Sequence, residues 1–422
     1  MEITKQEYNF ITYHFLRIID PLPYFYLLMK VHKPTLVTRP IVSYPGSTFH
    51  ALGIWVDTQL QQVAKSFDSY VESSFQLIDE LKLLLLPPNA LLFLCDANSM
   101  YTNIDTTTAI NAIEDYLTAN QHNFPTLPVI PVIEALELIM RHNVFQFGDT
   151  YWLQKKGTAM GAPPACSYAN ISFAVHELVF LPKYKNSLFL YKRYIDDIFG
   201  IWLIDKCIRK DNSTWQAFGD DLNGWTGLTW KIGDRRKKVT FLDVELEINN
   251  NKIKSIISEK PENLHLYLPV RSAHPPGVLQ GLIAGYIYRA RSLCTDQDDA
   301  VKKINELFTH LKNRGYASST LRPIFQKYLN RTTQQSDVTE HWLFKVPYHP
   351  QNPSSAQIRK AWDDAVPHPR LSKPLHRIDV RWNPIGERRF IICYKRHKNL
   401  GNLLSYRKIK QNSGPPVSSF AL

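Results

Sequence analysis

The sequence predicts an α+β fold, with antiparallel strands gathered around acidic residues and helices on either side of them in the chain. Three stretches carry that prediction. Residues 188–204, LFLYKRYIDDIFGIWLI, read as two apolar strands around an acidic turn. Residues 91–95 are a shorter apolar run that ends at Asp96. From about residue 278 the apolar spacing turns helical, over 278–292, 298–313 and 318–330.

The other elements follow in chain order. Residues 21–45 read as extended, because Pro34, Pro40 and Pro45 interrupt the apolar residues. Residues 48–82 read as one helix that Pro87-Pro88 stops. Asp105 or Thr106 can cap a helix over 105–120, and a second helix covers 131–142. Phe145, Phe147, Tyr151 and Leu153 alternate around Gly148-Asp149, which predicts a hairpin over 144–154. A Gly/Pro-punctuated loop at 157–164 leads into a helix over 165–180, and residues 228–258 continue as strands. Pro, Ser, Gln and Asn enrich 332–375, which predicts loops there. The segment 377–410 mixes strand-like runs with many cations.

Composition bounds the function. With 422 residues the chain is long enough for two to four lobes. Fifty Lys and Arg against 38 Asp and Glu leave a net charge of +12, which suits a polyanionic partner such as nucleic acid. Cys95, Cys166, Cys207, Cys294 and Cys393 are scattered, with no CxxC pair, so neither a disulfide framework nor a zinc site is expected. That usage fits a reducing compartment. The N-terminal stretch MEITKQEYNF is too polar for a secretory signal. No apolar run approaches the ~20 residues of a membrane span, so no membrane partner is expected. The oligomeric state is left open.

The chemistry is carried by carboxylates. An Asp196-Asp197 pair alone reads as a solvated hairpin turn. Asp96, at the end of another apolar run, changes that reading. If its strand lies beside the 188–204 hairpin, three acids converge on one sheet edge, where desolvation demands a cation. Oxygen ligands of this kind suit Mg²⁺, and a two-ion site serves phosphoryl chemistry. The loop Gly157–Ala165 lets backbone approach a ligand closely. Lys30, Lys33 and Arg39 lie in the extended stretch, where cations can clamp a triphosphate or simply face solvent.

In this order the segments resemble the reverse transcriptases of Penelope-like retroelements, relatives of telomerase reverse transcriptases. The resembling text is Tyr26-Leu-Leu-Met-Lys-Val-His-Lys-Pro34, Thr38-Arg-Pro-Ile-Val-Ser43 and Asp96-Ala-Asn-Ser-Met-Tyr-Thr-Asn-Ile104. Gln154-Lys-Lys-Gly-Thr-Ala-Met-Gly161, Ala169-Asn170-Ile171 and Arg193-Tyr-Ile-Asp-Asp197 follow. Phe241-Leu-Asp-Val244 and Lys395-Arg-His-Lys-Asn-Leu-Gly401 complete a match that spans roughly 20–405.

The resemblance implies a right-hand polymerase. Fingers would cover 1–90, palm 91–270 with fingers helices inserted at about 105–155, helical thumb 271–335, and a basic extension 336–422. Asp96, Asp196 and Asp197 would be catalytic and hold two Mg²⁺, with Mn²⁺ as the alternative ion. Lys33, Arg39, Tyr101, Met160 and Gly161 would bind the nucleotide, Tyr101 as the gate against a ribose 2′-hydroxyl. Lys260, Arg289, Arg291, Lys395, Arg396 and Lys398 would grip nucleic acid. The partners implied are an RNA template, a DNA primer and dNTP, and the expected location is intracellular, in the nucleus.

The chain departs from the family pattern in two places. Glu259-Lys260-Pro261 stands where the family often shows Arg-Lys-Pro. Lys231, Lys237 and Lys238 all remain available as the palm's proton donor. No nuclease segment is recognised, so an endonuclease-lacking or truncated member is expected. Two other readings compete: an inactive copy that only binds nucleic acid, and an RNA-dependent RNA polymerase, which Tyr101 argues against.

Overall fold

Residues 3–16, 18, 20–30, 37–225, 227–275, 277–331, 341–349, 351–365 and 389–395 are described in the computed structural model. They divide into two units, Met1–Leu264 with Ala290–Lys303, and His265–Arg289 with Ile304–Leu422.

The first unit opens with α1 (Lys5–Phe15), capped reciprocally by Thr4 and Glu7. The strands β1 (Tyr24–Met29) and β2 (Thr38–Ser43) pair as an antiparallel hairpin. Helix α2 (His50–Ala64) ends well before α3 (Ser74–Leu81), which Ser73 caps by accepting from the Gln76 amide. The single helix expected over 48–82 is therefore two. The cause is tertiary: residues 69–71 bond the backbone of Arg193, with Arg193 N–H to Ser69 O at 2.6 Å and Val71 N–H to Arg193 O at 3.1 Å. A strand-like partner wins over local helix propensity there.

Next come β3 (Ala90–Ala97), the short α4 (Met100–Asn103) and α5 (Thr106–Ala119). Asp105 caps α5 through the Thr108 amide at 2.8 Å. Helix α6 (Val129–Arg141) precedes the hairpin β4 (Val144–Phe147) and β5 (Thr150–Leu153). That hairpin joins β1, giving a sheet in the order β2-β1-β4-β5. Helix α7 (Ala165–Phe180) is buried nearly all round, as its continuous apolar sequence requires. The strands β6 (Leu188–Tyr194) and β7 (Asp197–Leu203) are followed by α8 (Ile208–Leu222), β8 (Trp230–Ile232), β9 (Lys238–Phe241), β10 (Val244–Asn249) and β11 (Lys252–Ile257).

Strands β6, β7, β3 and β8 form the central sheet in that order, all antiparallel. Its core residues Phe93, Cys95 and Ile198 join a cluster with Val56 and Leu60 of α2, Ile110 and Ile113 of α5 and Tyr168 and Phe173 of α7. Gly200 pairs with Phe93 in register, and a Cβ at that glycine would lie 2.1 Å from the Phe93 ring. A flat aromatic thus occupies the space a side chain would need.

The helices α9 (Val278–Leu293), α10 (Gln297–Asn313) and α11 (Ser318–Leu329) match the three expected after 278, and parts of α9 and α10 fall in each unit. In the second unit β12 (His341–Pro347) and α12 (Ser355–Ala365) correct the expectation of loops over 332–375. Strand β13 (Arg389–Lys395) pairs in parallel with β12. No helix among the described residues is long and apolar enough to cross a membrane. The fold is α+β, with an antiparallel central sheet and an antiparallel β9–β11 sheet, while β1 with β4 and β12 with β13 are parallel pairs.

Candidate active site

The central sheet aligns its polar residues in one row. Tyr194 pairs with Asp197, Asp197 with Asp96, and Asp96 with Lys231, across β6, β7, β3 and β8. Directly paired residues share a sheet face, so these four side chains leave the same side. The period-2 pattern explains how the acids escape the core. Buried Cys95 and Ala97 flank exposed Asp96, and buried Ile198 follows Asp197.

Asp196 sits in the two-residue turn between β6 and β7. Its carbonyl accepts from the Ala97 amide at 2.9 Å, which ties the turn to β3. Ile195, the turn's other central residue, has φ of 54°. A β-branched residue in the left-handed region costs on the order of 1–3 kcal/mol and persists only where its surroundings hold it.

The electrostatics show how close the acids are. Partial burial, then the charges of Asp196 and Asp96, push Asp197 up to about 6, against the opposing charge of Lys260. Asp196 is also raised, first by burial and then by Asp96, while Arg39 and Lys30 pull it down. Among the described residues no three acids, histidines or cysteines are already drawn together as a metal cage. The donor set is all hard oxygen on a partly desolvated edge, a kind of set that suits a divalent cation.

Beside the acids lies Tyr101 on α4, half-buried, with its hydroxyl 3.2 Å from the Cys166 thiol. Burial first, and then Cys166, Asp196 and Tyr194, raise its pKa above the ordinary phenol value, so the phenol is neutral. The Gly157–Gly161 loop is pressed onto this tyrosine's backbone. Thr158 N–H donates to Tyr101 O at 2.6 Å, and a Cβ on Gly157 would stand 2.4 Å from the same oxygen. At the loop's other end Val42 N–H donates to Met160 O at 2.9 Å. Met160 and Gly161 thus bridge β2 to the Tyr101 region.

Arg39, exposed on β2, lies within electrostatic reach of Asp196, and Lys260 within reach of Asp197. Lys33, Arg396 and Lys398 fall outside the described residues. Arg289 belongs to the second unit, and exposed Arg291 to the first. Lys395 is exposed on β13. Of the three candidate proton donors, Lys231 alone stands in the row, while Lys238 is engaged by Glu245 at 2.6 Å.

Sequence reasoning overlooked Cys166 and the support behind the acidic turn. Arg193 and Glu177 are 2% and 1% exposed and paired at 2.5 Å. The one available signal was a cation inside an apolar strand, three residues before the first turn acid.

Residues 266–326 match the model of a family described as an animal helix-turn-helix domain, which covers α9, α10 and most of α11. No curated protein sequence matches the chain. The telomerase of Candida albicans, solved with the TWJ fragment of telomeric RNA, superposes with a TM-score of 0.50. It shares 12% identity, over 74% of this chain and 59% of that one. Apo telomerase of Candida tropicalis, truncated from its C-terminal domain, is similar at a TM-score of 0.40 and 15% identity, over 58% of each chain. The Sicinivirus 3Dpol RNA-dependent RNA polymerase follows at 0.44 and 12%, over 78% and 72%. The chain therefore spans less than two thirds of the length of these two telomerase chains. The Candida albicans likeness is one of fold, and the fold class is that of right-hand polymerases.

Proposed function

We propose that the chain is a reverse transcriptase of the Penelope-like kind, an RNA-directed DNA polymerase that adds dNTP to a DNA primer on an RNA template. The observation that supports this reading best is the row Tyr194–Asp197–Asp96–Lys231 with Asp196 in the adjoining turn. Asp96, Asp196 and Asp197 are the residues that would hold Mg²⁺ or Mn²⁺. Ions bound there would supply charge neutralisation for the attacking 3′-hydroxyl and the leaving pyrophosphate.

The remaining roles belong to the chain. Arg39, with Lys33, binds the triphosphate and lowers the repulsion between it and the acids. Tyr101 occupies the space a 2′-hydroxyl would need, while Met160 and Gly161 form the bed of the nucleotide. Lys231 is placed to give a proton to the leaving pyrophosphate. In this reading β1, β2, β4 and β5 are fingers, the central sheet is the palm, and α9–α11 are the thumb. Lys260, Arg289, Arg291, Lys395, Arg396 and Lys398 hold the phosphates of the template–primer, and the nucleus is the place of action.

Primer extension on poly(rA)–oligo(dT) tests the proposal. Mg²⁺-dependent dTTP incorporation is expected, and Asp196→Ala should reduce it by at least about 10³-fold. Extension that survives Asp196→Ala would refute the proposed site.

A further inference from the structure

A buried ion pair is a weak source of stability, because desolvation offsets its attraction. Arg193 on β6 and Glu177 on α7 are nonetheless wholly enclosed, directly behind the acidic turn. Their hydrogen bonds give a geometric reason. Arg193 Nε donates to Glu177 Oε1 at 2.5 Å. Its Nη2 donates to Glu177 Oε2 at 3.2 Å and to the Asn170 carbonyl at 2.9 Å. Its Nη1 donates to Asn170 Oδ1 at 3.0 Å and to the Ile195 carbonyl at 3.1 Å. Every N–H of the guanidinium fork is used, and one reaches the turn itself.

The supports are themselves fixed. Glu177 also accepts from the Tyr191 hydroxyl at 2.7 Å and from Ser69 Oγ at 2.5 Å. Phe173 lies under the guanidinium, 5.2 Å from ring centre to Cζ. The Ile195 carbonyl is held from α7 through Arg193, and the Asp196 carbonyl from β3 through Ala97. The left-handed Ile195 carries the first of those anchors, and Asp196 lies between the two.

We infer that Arg193 is a positioning residue. Its saturated fork, neutralised by Glu177 and anchored on Asn170, locks the Ile195 carbonyl and thereby the placement of Asp196 and Asp197 for a divalent cation. Lysine cannot replace it, because an ammonium has no planar fork to span Glu177, Asn170 and Ile195 at once. The effect on catalysis rests on the polymerase reading; the effect on cation binding does not.

The test compares the full chain with Arg193→Lys and with the double variant Arg193→Met/Glu177→Met, which removes both charges at similar volume. For folded variants the expectation is a melting temperature near that of the parent and Mn²⁺ binding weakened several-fold in direct titration. Extension at saturating dTTP should fall at least tenfold, with the dTTP KM within twofold. Parental Mn²⁺ affinity in either folded variant overturns the inference, and so does parental extension. Failure of both variants to fold also overturns it, in favour of a purely structural role. If the parent chain itself extends no primer yet Arg193→Lys weakens Mn²⁺ binding, the polymerase reading falls and this inference stands.

Discussion

The Tyr101 hydroxyl and the Cys166 thiol meet at 3.2 Å, joining the helix after β3 to the first turn of α7. The contact steadies the ring proposed to exclude a 2′-hydroxyl. Tyr101→Gly should raise GTP use relative to dGTP by on the order of 10- to 100-fold while deoxynucleotide extension continues. Unchanged selectivity would remove Tyr101 from that role. Cys166 is exposed, so N-ethylmaleimide should label it at pH 8, and template–primer with dNTP should slow that labelling. Exposed Cys207 is the unprotected control. Cys95 should stay unlabelled, because burial pushes its thiol up to about 12.

Gly161 has φ of 128°, and a Cβ there would stand 2.2 Å from the Val42 carbonyl oxygen. Gly161→Ala should therefore destabilise the chain by about 1–3 kcal/mol in urea unfolding and raise the dNTP KM. Gly148 also has a left-handed φ but nothing within 4 Å, so Gly148→Ala should cost only about 1 kcal/mol and leave KM unchanged. Equal losses in the two variants would mean that the close approach at Gly161 is unimportant.

Asp197 gives a pH dependence. Its carboxyl is raised to about 6 in the folded chain, from an ordinary 3.8. The neutral form is the one favoured by folding, so its contribution is full below the ordinary value and is lost as pH rises through about 6. The metal-free melting temperature should carry a downward component between about pH 4 and 6 that Asp197→Asn abolishes. Mg²⁺ at pH 7 should restore the parent and leave the variant nearly unmoved. Identical pH slopes in parent and variant would contradict the raised carboxyl.

The basic tail makes a salt prediction. If its cations hold phosphates, affinity for an RNA–DNA hybrid falls steeply with salt, with a slope of about 0.7–0.9 per contact. Truncation after Pro374 should lower both affinity and slope, measured by anisotropy at several salt concentrations. An unchanged slope would exclude the tail, including Lys395, Arg396 and Lys398, from the grip.

Local patterns made much of the chain legible. The alternation in 144–154 and the apolar spacing after 278 each specify an element through their own period, and Asp105 announces the start of α5 by its capping chemistry. Patterns failed where a distant partner decided. Residues 65–73 carry no strong breaker, yet the backbone of Arg193 draws 69–71 away from the helix. The polar stretch 332–375 hides β12, whose pairing partner β13 lies far along the chain.

The same division runs through the site. By itself the sequence determined that Asp96 and Asp196-Asp197 end apolar strands, because a buried run closed by acids has few other solutions. It also determined that the 157–164 loop would need glycine's freedom. Only the tertiary structure decided that Asp96 faces Asp197 on one side and Lys231 on the other, since register is a relation between strands and a one-residue slip would reverse every face. Only the tertiary structure showed that Arg193, an ordinary cation in the sequence, is buried against Glu177 and bound to the carbonyl of Ile195. Its side-chain partners on α7 lie 16 and 23 residues away, its backbone partner Ser69 lies before α3 and far along the chain, and no local pattern reveals contacts between separate elements.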